Sequence, residues 1–251
     1  MGTNPDDVWS GETRLGEGWA WFEGRCGDAR PHRHLAIQMI VGISKSVQVD
    51  SPAGSRTGLA ILIPTGLLHA VRPTGAPVRV IYVQSFSSLG RAWSNFGREV
   101  LIVPPAALSE SLRCATDLGD NLARLAADCS PPQLDERLRE ALRILAHGPV
   151  QRVDIAAAGE AVGLSGPRLR ALAALQLGAP LAQWRLWFML ESALRSLGEG
   201  QSIAAAAISA GFSDQAHLGR TMRRFMGVTP KTVAGTMPPL GGAPRPLAPR
   251  G

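Results

Sequence analysis

The hydrophobic spacing of this chain changes period once, at about Pro104, and that change limits the folds open to it. Up to Val103 the apolar residues fall in short runs such as Leu35–Val41, Gly58–Ile63 and Val78–Val83, bounded by Gly, Pro, Ser and Asn. Their length and β-branched content suit strands joined by tight turns, and several at close spacing point to a barrel or sandwich. From Pro104 onward Ala, Leu, Arg and Glu dominate. Leu108, Leu112, Ala115, Leu118, Leu122 and Leu125 recur on one helical face, which either the sheet half or a second subunit has to cover. Ser130-Pro-Pro breaks that pattern, Leu134–Ala146 resumes it, and short helices punctuated by Gly163, Gly178, Gly198, Gly211 and Gly227 run from Val153 to Val233. The expected class is α+β in two domains, with a β-barrel at 1–103 and a helical linker at 104–150. An all-α domain follows at 151–234, then a Pro/Gly-rich tail at 235–251 that buries too little to order itself.

Charge divides the chain in the same way. Ten Lys/Arg and four Asp/Glu follow from Glu160 onward, so the whole net charge of +6 resides there and the first 159 residues are neutral. A basic half on a neutral half suits a polyanion, although a solvated basic surface has the same composition. Three cysteines without a CxxC pair, an acidic polar start and no long apolar run imply a reducing cytoplasm, with neither a disulfide framework, a secretory leader nor a membrane span.

The last helical stretch, Gln201–Val233, has the layout of a helix-turn-helix. Ser202 suits a helix N-cap, the alanine-rich helix behind it permits close crossing, and Gly211 ends it. Phe212 plugs the corner, and Ser213 or Asp214 caps a second helix. On that helix Leu218, Met222 and Phe225 point inward, leaving Gln215, Arg220, Arg223 and Arg224 on other faces. Such a helix sets its first turn at base edges and its arginines near phosphates. Gln215 is the expected base reader, since Gln pairs bidentately with adenine; Ser213 and His217 lie on the same approach.

Gly211-Phe-Ser-Asp-x-x-His217-Leu-x-Arg220-x-Met-Arg-Arg-Phe-x-Gly227-Val-Thr-Pro230 resembles the second helix-turn-helix of the AraC family of bacterial regulators, with Leu218 and Met222 in place of the family's phenylalanines. The resemblance implies a pair of such units joined by a long helix. Leu186–Leu197 with Ala193 is similar to that linker helix, and Ile155–Gly178 is the expected first unit. The first unit departs from the family pattern. Ala171 and Ala173 stand where an Arg and a Phe are usual, Met189 stands where an Arg is usual, and Pro167 enters the first turn. Arg168 and Arg170 remain as its candidate DNA contacts, with ordinary surface arginines as the alternative.

In the strand half, His32-Arg-His34 is followed by Gln38, and Gly58-x5-Pro64-x-Gly66-x2-His69 lies downstream. Residues two apart on a strand face one side, so His32 and His34 converge, and a third histidine from a neighbouring strand makes a three-nitrogen site for a divalent metal. Both stretches resemble cupin motifs, with Gln38 in a glutamate position. That implies a cupin-like β-barrel sensing domain, with His32, His34, Gln38 and His69 as candidate ligands for Zn, Ni, Co, Mn or Fe. The alternative is structural histidines or a metal-free organic-effector pocket. Cys26 is a lesser candidate ligand, and Trp19, Trp21 and Phe22 are expected to pack the barrel.

These readings make the chain a non-enzymatic DNA-binding transcription regulator, whose partners are double-stranded DNA, a small-molecule or metal effector and a second copy in a homodimer. The competing reading is a metal-dependent cupin enzyme with a helical appendage.

Overall fold

A computed structural model describes residues 9–238, apart from 28, 73, 95–96, 109–111, 113–117, 131–132 and 148–153. Contacts divide the chain into two compact units, Met1–Pro131 with Met222–Gly251, and Pro132–Thr221. No helix among the described residues is long and apolar enough to cross a membrane.

The first unit is built on nine strands: β1 (Ser10–Gly16), β2 (Trp19–Arg25), β3 (Ala36–Gly42), β4 (Val47–Ser51), β5 (Gly54–Gly58), β6 (Ala60–Ile63), β7 (Ala70–Arg72), β8 (Pro77–Gln84) and β9 (Leu101–Ile102). All the pairings are antiparallel. The strands form a six-stranded sheet, ordered β1-β2-β8-β3-β6-β9, and a three-stranded sheet, ordered β5-β4-β7. The expected barrel is therefore not closed among the described residues. The two sheets instead enclose a core, because Ile40, Ile61, Ile63, Val78 and Val80 of the larger sheet cluster with Val47, Val49 and Val71 of the smaller one. Phe22 and Cys26 belong to that inner core.

Strand alternation sends the intervening residues to the outer face of the large sheet. There Ile37, Met39, Val41, Leu62, Ile81 and Val83 cluster with Leu89 and Trp93 of α1 (Ser88–Ser94), and with Leu108, Leu112, Leu118 and Leu122. The last two residues are the buried positions of α2 (Leu118–Ala127). The leucine face expected to need a cover is thus covered by this sheet, and Trp19 and Trp21 pack against the same cluster. Helix α1 breaks the expectation of β-structure as far as Val103. The β2–β8 register sets Glu23 opposite Arg79 on this outer side. Arg79 donates to Glu23 Oε2 from Nε at 2.8 Å and from Nη2 at 2.6 Å, and to the Leu112 carbonyl from Nη1 at 2.7 Å.

The second unit holds α3 (Glu136–His147), α4 (Ile155–Ala161), α5 (Gly166–Leu177), α6 (Leu181–Gly198), α7 (Ile203–Ser209) and the first part of α8 (Gln215–Met226). Local chemistry starts the helices. Asp154, Ser165 and Ser202 accept from the amides of Ala157, Arg168 and Ala205, which otherwise have no helical partner. In α7, Ala206 and Ala207 are fully buried, as is Ala210 just after it, which fits the close crossing read from its alanines. The end of α8 and α9 (Pro230–Ala234) return to the first unit. There Thr13 donates its amide to the Thr236 carbonyl at 2.8 Å, and the two hydroxyls lie 2.7 Å apart. Thr236 is buried, although the tail was expected to begin at Gly235; residues 239–251 lie outside the described structure.

Candidate functional site

The three cupin-motif histidines come together through backbone pairing. His32 precedes β3 and His69 precedes β7, and they form an antiparallel bridge with reciprocal amide–carbonyl bonds of 2.9 and 3.0 Å. Ring centroids are 4.3 Å apart for His32 and His69, 4.8 Å for His34 and His69, and 5.7 Å for His32 and His34. One ligand nitrogen from each ring falls within 4.8 Å of the others, and all three residues are buried.

The backbone also sets the tautomers. Nδ1 of His32, His34 and His69 lies 2.8–2.9 Å from the carbonyls of Arg30, Ala36 and Leu67. A carbonyl only accepts, so each Nδ1 carries the hydrogen and each Nε2 keeps its lone pair. Nε2 of His32 and of His69 is buried without a partner. Nε2 of His34 lies 2.9 Å from Gln38 Oε1, while the Gln38 amide nitrogen donates to the Tyr82 hydroxyl at 3.0 Å. Two acceptors facing each other are relieved by a shared cation or by a turned amide. Burial also keeps the rings neutral. It lowers the pKa of His32 to about 4 and of His69 to about 2, with the neighbouring histidines adding to the effect, and it lowers that of His34.

Neutral imidazoles with Nδ1 held by backbone and Nε2 aimed inward are the ligand form for a transition metal. Unsatisfied buried nitrogens cost free energy that a cation would recover, so the residues present fit such an ion. His32, His34 and His69 would hold it, with Gln38 Oε1 beside them. Cys26 is not in the group; it lies in the apolar core, where burial raises the pKa of its thiol. A feature with no sequence signal lies on the outer face of the large sheet. There Ile37, Leu62, Trp93 and Leu101 line a cavity of about 280 Å³, with Arg98 and Glu99 also at its wall.

The helical residues expected to meet DNA are placed as follows. Asp214 caps α8, accepting from the His217 amide at 2.6 Å, and that bond holds its carboxyl below the ordinary range. The Ser213 hydroxyl donates to Asp214 Oδ2 at 3.1 Å and lies 3.3 Å from His217 Nδ1. The His217 ring meets the Phe212 ring edge-on at 5.1 Å, a packing contact. Leu218, Met222 and Phe225 are buried, while Gln215, Arg220, Arg223 and Arg224 are exposed. The Arg224 guanidinium lies 5.6 Å from the Phe225 ring. Arg168 and Arg170 are exposed on α5, where Ala171 faces solvent and Ala173 is buried. Among the described residues none of these five arginines is in an ion pair.

A family model described as a helix-turn-helix domain matches residues 158–235. Those residues are an AraC-type DNA-binding domain. The match takes in most of α4, all of α5–α8, and α9. The chain carrying this AraC-type domain is similar in structure to ToxT from Vibrio cholerae O395, at 9% identity and a TM-score of 0.58, over 88% of this chain and 99% of that one. Unsaturated-fatty-acid-bound ToxT from V. cholerae strain SCE256 gives 9% identity and a TM-score of 0.54, over 92% and 93% of the two chains. A transcriptional regulator from Chromobacterium violaceum, of the AraC-type DNA-binding domain-containing proteins, gives 24% identity and a TM-score of 0.39, over 40% and 91%. No curated protein matches the chain.

Proposed function

We propose that the chain is a sequence-specific DNA-binding transcription regulator whose sheet domain is cupin-like and takes a divalent metal at His32, His34 and His69, with Gln38 as a fourth donor. The carrying observation for DNA is the AraC-type domain with exposed, unpaired arginines on α8. Arg220, Arg223 and Arg224 serve the phosphates and Gln215 reads a base edge, with Ser213 and His217 at the mouth of the same helix and Arg168 and Arg170 as the contribution of α5. For the metal, the support is the pair of buried, partnerless Nε2 atoms. A bound ion would act here as a charge that ties two chain segments together, the one that leads into β3 and the one that leads into β7. The enzyme reading is disfavoured because metal chemistry has no use for an AraC-type domain. The regulator acts where its DNA lies, in the cytoplasm, and as a homodimer if its operator is a repeated half-site.

Binding of promoter duplex followed by fluorescence anisotropy against salt tests the DNA reading. Each phosphate contact contributes about 0.9 to the slope of log K against log salt, so Arg220→Ala, Arg223→Ala and Arg224→Ala should each flatten it by about that amount. Retention of the full slope in all three would remove α8 from the interface. Metal analysis of purified protein tests the other half: His32→Ala/His34→Ala should lose an ion that the wild type retains. A second effector reading is favoured by the cavity beside Arg98, whose apolar floor of Ile37, Leu62, Trp93 and Leu101 suits a small amphipathic carboxylate with its head at the Arg98 guanidinium, beside Glu99. ToxT is known with an unsaturated fatty acid bound. An Arg98→Ala variant with unchanged carboxylate binding would exclude it.

A further inference from the structure

The end of the second recognition helix lies against the segment that carries His32. The Arg30 amide donates to the Gly227 carbonyl at 3.1 Å, and the Arg33 amide donates to the Arg224 carbonyl at 3.3 Å. All four residues belong to the same compact unit as the sheets. The Arg30 carbonyl in turn accepts from His32 Nδ1 at 2.9 Å. A single residue, Arg30, therefore connects the His32 ring to Gly227, which follows α8 and donates its amide to the Arg223 carbonyl in the last turn of that helix at 3.1 Å. The approach is close: a Cβ on Gly227 would stand 2.6 Å from the Arg30 carbonyl oxygen and 2.7 Å from His32 Nδ1. Glycine is required here twice over, by this contact and by a left-handed φ of +71°.

We propose that Gly227 is a positioning residue for the histidine cluster, and that occupancy of the cluster and order in the last turn of α8 are coupled through the Arg30–Gly227 contact. The inference rests on the metal reading above and adds its output. The turn concerned carries Arg223 and Arg224, two of the three arginines assigned to phosphates. An ion that fixes the His32 ring also fixes the Arg30 carbonyl and the amide that holds Gly227. By linkage, a helix end held in place makes the cluster a better site to the same degree. Outer partners that orient a ligating histidine affect metal affinity strongly, which sets the scale of the effect.

The chain supplies its own control. Gly178 follows α5 as Gly227 follows α8, with a φ of +68°, but nothing lies within 4 Å of a Cβ built there. Gly178→Ala therefore carries the backbone strain alone, while Gly227→Ala carries the strain and the collision with the His32 segment. The experiment uses the full chain and Zn²⁺ alone, with affinity read by chelator competition and amide hydrogen exchange read by mass spectrometry. Zn²⁺ should slow exchange in wild-type residues 222–228 as well as around the histidines. Gly227→Ala should weaken Zn²⁺ about tenfold or more, and Gly178→Ala should leave it unchanged. Should Gly227→Ala fail to fold, Thr13→Val/Thr236→Val loosens the same segment without a collision, and the wild-type exchange measurement needs no variant. If Zn²⁺ binds but slows only residues 30–40 and 64–72, and both alanine variants bind it equally, the coupling is overturned and the metal site stands. If the wild type takes up no Zn²⁺, the metal reading falls and the coupling with it.

Discussion

Acid should destabilise the metal-free protein through its histidine cluster, in a pH window that few other groups share. An imidazole in the unfolded chain titrates near 6.5, whereas burial holds His32 at about 4 and His69 at about 2 in the fold. The unfolded chain therefore takes up protons first as pH falls. The stability these residues contribute is fully present above pH 6.5 and is lost progressively as pH drops toward the folded values. Each unit of pH below 6.5 removes about 1.4 kcal/mol per histidine. At pH 5.0 the two residues together remove about 4 kcal/mol, with His34 shifted in the same direction. That is a large part of the 5–15 kcal/mol typical of a folded domain, on the order of its whole margin at the lower end. Asp50 and Asp135 are held down to about 2 from an ordinary 3.8, so their contributions begin to fail only at lower pH. The assay is urea unfolding in EDTA at pH 7.5 and 5.0, for wild type and for His32→Gln/His69→Gln. The wild type should lose about 4 kcal/mol and the double variant much less. A wild-type loss under about 1 kcal/mol, or an equal loss in the double variant, would refute the idea that these rings are held neutral by burial.

Saturating the cluster with Zn²⁺ at 100 times its Kd should add about 2.7 kcal/mol to stability, and EDTA should reverse the gain in a thermal melt. Arg79→Met leaves the buried Glu23 carboxylate and the Leu112 carbonyl without their donors and should cost about 3–5 kcal/mol in urea unfolding. Arg79→Met/Glu23→Leu should recover most of that loss, and a double variant as unstable as the single would show that the pair does not account for it. Asp214→Ala removes the α8 cap and should cost about 1 kcal/mol, measured by the same unfolding assay.

The parts legible in the sequence were those governed by neighbours along the chain. The second helix-turn-helix was legible because Ser202 and Asp214, each a cap residue in the sequence, accept an amide three residues on, and such caps are local signals. The histidine cluster was legible through the resemblance of His32-x-His34 and Gly58-x5-Pro64-x-Gly66-x2-His69 to cupin motifs, which supplies a pairing across 37 residues that spacing alone does not. What stayed hidden depends on pairing across long separations. The Arg79–Glu23 brace needs the β2–β8 register, which joins residues 56 apart. The two-sheet layout in place of a closed barrel follows from strand order, which composition does not encode. Helix α1 is a seven-residue segment, Ser88–Ser94, too short for a periodic signal, and the cavity beside it exists only once the outer face of the sheet is covered.

The DNA reading proposed for the AraC-type domain loads α5 and α8 unequally, because the two helices differ on one face when matched at the glycines that follow them. Counting back from Gly178 and Gly227 pairs Ala171 with Arg220, Ala174 with Arg223 and Leu175 with Arg224. All six are exposed, and Leu175 is 82% exposed. One outward face is therefore apolar in α5 and cationic in α8. The inward faces differ less, since Leu169 pairs with Leu218 and Ala173 with Met222, all four buried. Packing thus maintains both helices, while the charge that attracts a polyanion is concentrated on one. The arginines of α5, Arg168 and Arg170, lie in its first two turns, where a recognition helix meets base edges rather than running along phosphates. On the proposed DNA reading α8 would supply most of the salt-dependent affinity. The coupling proposed at Gly227 would then act on the turn that carries Arg223 and Arg224.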